Sequence, residues 1–163
     1  MSRGAILMRG GAISAKALAE SGQSFKFGKF SCKATQLFFS SDLTIGLVNL
    51  RPILPGHILI CPKRVVARVA DLEDEELVEL WRVARHTAAA MARHVKADGL
   101  NLAIQDGEAA GQSVPHVHVH LIPRHAGDLP RNDEIYERME DFDGRPSGEA
   151  ASNKRVAEAG GGG

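Results

Sequence analysis

The clearest pattern in the chain lies between Pro115 and Arg124, where histidine alternates with aliphatic residues. Alternation with a period of two, together with β-branched side chains, indicates a β-strand with one buried face. Side chains two positions apart on a strand point to the same face. We therefore predict an apolar face and, opposite it, a row formed by His116, His118 and His120.

Other apolar runs predict four more strands in a domain that begins near Ser24. Each run is short and is ended by turn residues; the runs are 36–39, 43–49, 57–61 and 100–105. Sequential strands with short connections are typical of an antiparallel meander. The expected fold is α+β, an antiparallel sheet of about five strands with a long helix packed on it.

The long helix is predicted to start after an Asp71 cap, with acids in its first turn, and to stop near Gly99. Its apolar residues recur at helical spacing and are expected to pack against the sheet rather than bind a ligand. They are Leu77, Leu80, Trp81, Ala84, Ala88, Met91 and Val95. A second, short helix is predicted over 133–139.

Three explanations compete for the histidine face. A solvated face is disfavoured, because lysine, threonine or glutamate would serve there equally well. Metal binding suits two histidines at i and i+2, but the outer pair of three is about 13 Å apart on a straight strand. Catalysis suits all three, because neutral imidazole is both a nucleophile and a proton donor near neutral pH.

Composition narrows the range of partners. The 163-residue chain fits one domain, and its 20 basic and 20 acidic residues leave no net charge to attract nucleic acid or a membrane surface. No apolar run is long enough to span a bilayer. The cysteines, Cys32 and Cys61, are too few and too far apart in sequence for a disulfide framework, which suits a reducing compartment.

The two ends of the chain differ from the middle. Residues 1–22 are rich in Gly, Ala and Ser with several basic residues and one acid, so we expect a flexible extension that loosely resembles a mitochondrial transit peptide. Residues 143–163 are dominated by Gly, Ser, Ala and charge and are expected to be disordered. The predicted domain is 23–142, and the expected location is the cytoplasm, with the mitochondrion as the alternative.

The histidine row resembles the signature of the histidine triad (HIT) family of nucleotide hydrolases and transferases, His-x-His-x-His followed by apolar residues. Further blocks resemble, in order and spacing, the branch of that family that hydrolyses dinucleoside triphosphates such as diadenosine triphosphate. They are Leu47-Val48-Asn49, Pro55-Gly56-His57, Gln105-Asp106-Gly107, Gly111-Gln112-Ser113, Pro123-Arg124 and Asn132-Asp133-Glu134-Ile135-Tyr136-Glu137. The resemblance spans about residues 24–140 and implies the HIT-like fold.

This resemblance implies a role for each member of the row. His118 would attack the α-phosphorus and form a covalent nucleotidyl-histidine that water then hydrolyses. His120 would donate to a phosphate oxygen, and His116 would orient the row. Gln105 would contact the α-phosphate or position the water. A backbone carbonyl near His116 is the expected acceptor for the proton on the second ring nitrogen of His118.

The resemblance also implies the surrounding binding residues. Asn49 would bind ribose hydroxyls, and Gln112 and Ser113 would hold phosphate oxygens in a tight turn. Adenine would lie against apolar side chains, namely Phe27, Leu47 and Val48. His57 would support the histidine row from behind. Tyr136 would be a phosphorylation site, the alternative being a surface aromatic that packs its own helix.

The expected ligand is therefore a dinucleoside polyphosphate, with Mg²⁺ or Mn²⁺ accompanying it and no tightly bound protein metal. The resemblance implies a homodimer with sheets joined edge to edge; nucleic acid and membrane are not expected partners. Alternatives stay open: a nucleoside phosphoramidase, a diadenosine tetraphosphate hydrolase, or a signalling protein whose output is the nucleotide-loaded complex.

Overall fold

A computed structural model describes residues 24–142, so the predictions for 1–22 and 143–163 lie outside the described residues. The elements run in chain order as β1 (Ser24–Phe27), β2 (Phe30–Lys33), β3 (Leu37–Ser40), β4 (Thr44–Val48), β5 (Ile58–Pro62), α1 (Asp74–Val95), β6 (Gly99–Ala103), β7 (Val119–Arg124) and α2 (Glu134–Phe142). Strands β3 to β7 form one antiparallel sheet in the order β3-β4-β5-β7-β6, and β1 and β2 form a separate hairpin. The predicted five-stranded α+β fold is confirmed.

Helix α1 covers one face of the sheet. Apolar residues of the central strands meet the helix in one buried cluster, which contains Ile58, Ile60, Val117, Val119, Leu121, Leu80, Val83, Ala84 and Ala88. Burial of these side chains provides the main driving force for this layer. Val117, Val119 and Leu121 thus form the apolar face predicted from the alternation.

The helix itself differs from the prediction in three places. Its N-cap is Glu73, whose backbone N–H donates to Glu76, while Asp71 lies in a preceding 3₁₀ turn. It ends at Lys96, which adopts a left-handed conformation (φ 54°), before Gly99 begins β6. Trp81 is 43% exposed, and Val83 instead occupies the buried stripe.

The opposite face of the sheet carries the histidines and is covered from two sides. At one end the β1–β2 hairpin packs Phe25, Phe27 and Cys32 onto a cluster that includes Leu47, Leu59 and Cys61. At the other end α2 and the loop before it bury Ile122, in a cluster with Leu54, Leu129, Ile135 and Met139. The histidine row lies between these two covers.

The loop before α2 is fixed by a single arginine. The Arg124 guanidinium binds both carboxylate oxygens of Asp128 at 2.8 Å and donates to Asn101 and Asn132 at 2.7 and 3.1 Å. The bonds from Arg124 and then the backbone N–H of His125 hold the pKa of the Asp128 carboxyl far below its ordinary value. Within residues 24–142, no helix has the length and apolar character needed to cross a membrane.

Candidate active site

The three histidines are brought together as predicted, although only His120 lies within a hydrogen-bonded strand. His116 and His118 belong to the irregular segment that leads into β7. The rings of His118 and His120 are 4.8 Å apart between centroids, and the Phe27 ring lies 5.5 Å from His116 and 5.2 Å from His118. All three are at most 1% exposed, so a phosphate chain that reaches them must displace what covers them.

The protonation of His118 is set by the backbone. Its Nδ1 lies 2.7 Å from the carbonyl oxygen of His116, which can only accept a hydrogen bond. In the neutral ring the proton is therefore on Nδ1, and Nε2 carries the lone pair needed for nucleophilic attack. This is the backbone acceptor that we expected from the sequence.

The protonation of His120 is set by a chain of two hydrogen bonds. The backbone N–H of Ile53 donates to Nδ1 of His57 across 3.2 Å, so a neutral His57 carries its proton on Nε2. That Nε2 lies 2.9 Å from Nδ1 of His120, which must then accept. The proton of a neutral His120 is consequently on Nε2, where it can be donated to a phosphate oxygen.

His116 ties the hairpin to the sheet. Its Nδ1 accepts from the Gly28 backbone N–H at 3.0 Å, and its Nε2 donates to the Pro62 carbonyl at 2.9 Å. Burial lowers the pKa of His116, with a further contribution from His118, and the carbonyls of Pro62 and Arg64 oppose this only in part. His116 is therefore a neutral ring held by two hydrogen bonds, and its role in orienting the row stays a prediction.

Comparison with known proteins decides what this arrangement represents. The family model described as "HIT domain" matches residues 32–127. The chain belongs to the histidine triad family. This HIT protein is 47% identical over 114 residues to the bis(5'-adenosyl)-triphosphatase of Dictyostelium discoideum, covering 70% of the chain and 76% of that relative.

Two further similarities extend the comparison. The chain is 43% identical over 118 residues to the asymmetrical bis(5'-nucleosyl)-tetraphosphatase of Schizosaccharomyces pombe, covering 72% of the chain and 64% of that relative. The crystal structure of the Plasmodium falciparum diadenosine triphosphate hydrolase with cyclomarin A superimposes with a TM-score of 0.64 at 28% identity. It covers 79% of the chain and 93% of that structure.

The loop between β6 and the histidine row holds the other predicted residues of the HIT site. Gln105 lies two residues beyond Ala103, whose partner across the sheet is His120; the same register continued past the ladder would place Gln105 opposite His118. Gln105 is 8% exposed, and its Oε1 finds no hydrogen-bond partner within the described part of the chain. A buried amide oxygen of this kind is suited to a ligand or a water.

Gln112 has a structural use that the sequence did not predict. Its amide oxygen accepts from the Gly107 N–H at 3.0 Å, and its amide nitrogen donates to the Ala67 carbonyl at 2.9 Å. Its backbone N–H donates to the Gly107 carbonyl at 3.1 Å. These bonds brace the loop, and the predicted contact of Gln112 with phosphate oxygens stays a prediction. Ser113, one residue on, is exposed.

A second brace holds the same loop. The carboxylate of Asp106 accepts from the Val69 N–H at 2.9 Å and pairs with the Arg68 guanidinium at 3.2 Å. The Val69 N–H and then Arg68 lower the pKa of Asp106. The loop that carries Gln105 and Ser113 is thereby fixed to the segment after β5.

The residues predicted to bind the nucleoside separate onto two faces. Leu47 is paired with Leu59, and Leu59 with His120, so Leu47 lies on the histidine face. Val48 is paired with Ile58 and lies on the helix face, which contradicts its predicted contact with adenine. The error arises because neighbouring strand residues point to opposite faces.

Asn49 is joined to the histidine row through His57. Its Nδ2 lies 3.4 Å from Nδ1 of His57, the nitrogen of that ring that accepts, and its Oδ1 accepts from the Arg51 N–H at 3.0 Å. A ribose bound by Asn49 would therefore lie at the His120 end of the row. Tyr136 lies at the surface of α2 and is 55% exposed, so it is accessible for the predicted phosphorylation, which stays a prediction.

Sequence reasoning missed the backbone groups that set this site: the N–H groups of Gly28 and Ile53 and the carbonyl of Pro62. The hydrogen bonds that backbone groups make cannot be identified from residue types; only the glycine after Phe27 was a visible signal.

Among residues 24–142, no three His, Cys, Asp or Glu side chains are grouped so that they could hold a metal ion.

Proposed function

We propose that the protein hydrolyses dinucleoside 5′,5‴-triphosphates, cleaving P1,P3-bis(5'-adenosyl) triphosphate to AMP and ADP through a covalent nucleotidyl-histidine. The observation that carries the proposal is the 2.7 Å bond from Nδ1 of His118 to the His116 carbonyl, which leaves Nε2 as a nucleophile. The similarity to a relative named bis(5'-adenosyl)-triphosphatase supports the choice of substrate.

The reaction divides into two displacements at the α-phosphorus. In the first, Nε2 of His118 forms a bond to phosphorus while the bond to the bridging oxygen breaks, and ADP leaves with that electron pair. In the second, water attacks the same phosphorus, the P–N bond breaks, AMP is released and the imidazole of His118 is restored. Splitting one difficult displacement into two easier ones is the purpose of a covalent intermediate.

The surrounding groups stabilise charge during both steps. Once it carries the nucleotidyl group, the His118 ring is cationic, and its Nδ1–H bond to the His116 carbonyl offsets that charge. The Nε2–H of His120 would donate to the phosphoryl oxygens, a type of contact that is typically worth about 10²–10³-fold in rate. Gln105 would hold the α-phosphate or the attacking water with its buried amide.

A divalent cation is proposed to enter with the substrate. Phosphate oxygens are preferred Mg²⁺ ligands, and Mg²⁺ usually binds through substrate phosphates rather than in an all-protein cage. The binding residues would therefore receive the metal-chelated polyphosphate.

A homodimer is also proposed. Strand β6 is an edge of the five-stranded sheet, and Leu102 on it is exposed. An unpaired edge with an exposed apolar residue favours strand pairing with a second copy. Light scattering of wild type and Leu102→Lys would test this, and a wild-type monomer at micromolar concentration would contradict it.

The cytoplasmic location, with the mitochondrion as alternative, remains a proposal that imaging of the tagged full chain would test.

Hydrolysis of diadenosine triphosphate in ¹⁸O-labelled water tests the function. Attack at the α-phosphorus places the label in AMP alone, and His118→Asn should abolish turnover while it retains nucleotide binding. Label in ADP, or unchanged turnover in His118→Asn, would contradict the proposal.

The length of the polyphosphate is the point on which a second candidate has support, since one similar relative is named a tetraphosphatase. Comparison of kcat/KM for diadenosine triphosphate, diadenosine tetraphosphate and adenosine phosphoramidate would separate these substrates. A preference for either of the last two would replace the triphosphate in the assignment.

Signalling by the nucleotide-loaded complex is the other alternative. Loss of a cellular effect in His118→Asn would argue against signalling by that complex alone.

A further inference from the structure

The segment 66–69, between β5 and α1, contacts the histidine row through its first residue. The carbonyl of Val66 accepts a hydrogen bond from the N–H of Val117 at 2.7 Å. Val117 lies between His116 and His118, and both valines are buried. The backbone that carries the nucleophile is therefore fixed to the start of this segment.

The same segment contacts the Gln105 loop through its other residues. The Ala67 carbonyl accepts from the amide of Gln112 at 2.9 Å, and the Val69 N–H donates to the carboxylate of Asp106 at 2.9 Å. Asp106 directly follows Gln105 in the chain. Four consecutive residues are thus bonded both to the histidine row and to the loop, so they fix the distance between the nucleophile and Gln105.

The side chain of Arg68 adds a further link between this segment and the loop. Its Nε lies 3.2 Å from Oδ1 of Asp106 and its Nη2 lies 3.4 Å from Oδ2, so the guanidinium binds the carboxylate with two parallel bonds. A Cβ atom on Gly107 would lie 3.1 Å from Cζ of Arg68, which places the guanidinium against that glycine. Arg68 therefore contacts both residues that follow Gln105.

This ion pair is too exposed to be mainly a source of stability. The side chains of Arg68 and Asp106 are 54% and 35% exposed, and exposed ion pairs contribute little to the free energy of unfolding. Gln105 is buried, however, and its Oε1 makes no hydrogen bond within the described part of the chain. The position of this amide therefore depends on the backbone on either side of it, which is β6 before it and Asp106 after it.

We propose that Arg68 and Asp106 are positioning residues for the hydrolysis, and that they hold the Gln105 amide at a fixed distance from Nε2 of His118. This inference rests on the proposed function, because the amide is assigned to the α-phosphate or the attacking water of that reaction. The pair acts through Gln105 and not on the substrate. A displacement of about 1 Å at such a group can cost about 10²-fold in rate.

A double-mutant cycle tests whether the pair acts through this amide. Arg68→Met keeps the apolar part of the side chain and removes both bonds, and we expect it to lower kcat for diadenosine triphosphate by about tenfold. Gln105→Ala removes the amide itself and should lower kcat at least as much. Arg68→Met added to Gln105→Ala should have no further effect, because the group that it displaces is already absent. Losses that multiply in the double variant would overturn the proposal.

Two comparisons separate this role from a general loss of an ion pair. Asp106→Asn keeps an oxygen that can accept from the Val69 N–H and should retain more activity than Asp106→Ala. Arg138→Met breaks the pair with Glu134 on α2, whose side chains are 41% and 22% exposed, and should leave kcat unchanged. Equal losses in the two Asp106 variants, or a loss in Arg138→Met that matches the loss in Arg68→Met, would contradict the positioning role.

Nuclear magnetic resonance reports the position of the Gln105 amide without turnover. Its side-chain ¹H–¹⁵N resonances are identified by their absence in Gln105→Ala. Arg68→Met should shift them and Arg138→Met should not; unshifted resonances in Arg68→Met would overturn the proposal. Failure of the proposed function is a separate result, since wild type would then leave diadenosine triphosphate intact. The resonances would still decide whether Arg68 positions Gln105.

Discussion

Nε2 of His57 lies 2.9 Å from Nδ1 of His120, and the Ile53 N–H on the far side of the His57 ring makes His57 the donor. His57 therefore has a role beyond packing against the histidine row. It fixes which nitrogen of His120 carries the proton that faces the substrate.

Replacement of His57 by leucine or glutamine tests this relationship. A glutamine amide can still donate to Nδ1 of His120, whereas leucine cannot. We expect His57→Leu to lower kcat by about 10²-fold, the loss typical of one misplaced transition-state donor, and His57→Gln to retain most of the activity. Steady-state kinetics together with melting temperatures provide the measurement. Equal losses of kcat in two equally stable variants would show that the hydrogen bond does not carry the effect.

Stability should depend on pH through His116. Burial lowers its pKa in the folded protein below the ordinary value of 6.5. As the pH falls through 6.5, the unfolded chain takes up this proton first, so the free energy of unfolding is fully maintained above about pH 7 and decreases below it. One such group contributes a slope of at most about 1.4 kcal/mol per pH unit.

Urea unfolding between pH 7.5 and 5.5 measures this slope in wild type and in His116→Gln. The variant should lack the part of the slope that belongs to this histidine. Identical slopes in the two proteins would mean that His116 does not titrate differently in the folded and unfolded states.

Gly28 and Gly127 offer a matched pair of glycines for testing how the hairpin is held. Both have positive φ, 56° and 77°, so alanine is strained at either position. Only at Gly28 would a Cβ collide with a neighbour, Cγ1 of Val114. We expect Gly28→Ala to destabilise the protein by about 2 kcal/mol more than Gly127→Ala does and to lower kcat, because it disturbs the bond to His116. Comparable losses in both variants would argue against close docking of the hairpin tip.

The ion pair of Arg124 and Asp128 should contribute measurably to stability, because both side chains are largely buried. Asp128→Asn replaces a charged acceptor of two guanidinium bonds and one backbone bond, and we expect a loss of about 2 kcal/mol in the free energy of unfolding. Glu137→Gln breaks the exposed pair with Arg131 and should have little effect. Denaturant midpoints of the two variants supply the comparison, and equal midpoints would contradict the assigned role of the buried pair.

Strand and helix positions could be predicted from the sequence because hydrophobic periodicity is a local property. The alternation around His118 and the helical spacing of Leu80, Ala84 and Ala88 each identified a real buried face. The edges of those faces were predicted less well. Trp81 borders the stripe and turned outward, while the smaller Val83 fills the space beneath α1.

The covers of the histidine face were not predictable in the same way. The β1–β2 hairpin is too short to show a period, and its position depends on tertiary contacts such as that between Gly28 and His116. The sequence could not reveal that both ends of the Gln112 amide form hydrogen bonds within the loop. The active site could be located from the identities of its side chains, but the protonation states of its histidines depend on backbone atoms.

The central claim is that His118 carries the nucleotide covalently. Rapid quenching of the protein with diadenosine triphosphate radiolabelled in its α-phosphates, followed by peptide mapping, tests it directly. We predict an acid-labile, alkali-stable label on the peptide that contains His118, and none in His118→Asn. Label on any other residue, or no protein-bound label throughout a single turnover, would contradict the account.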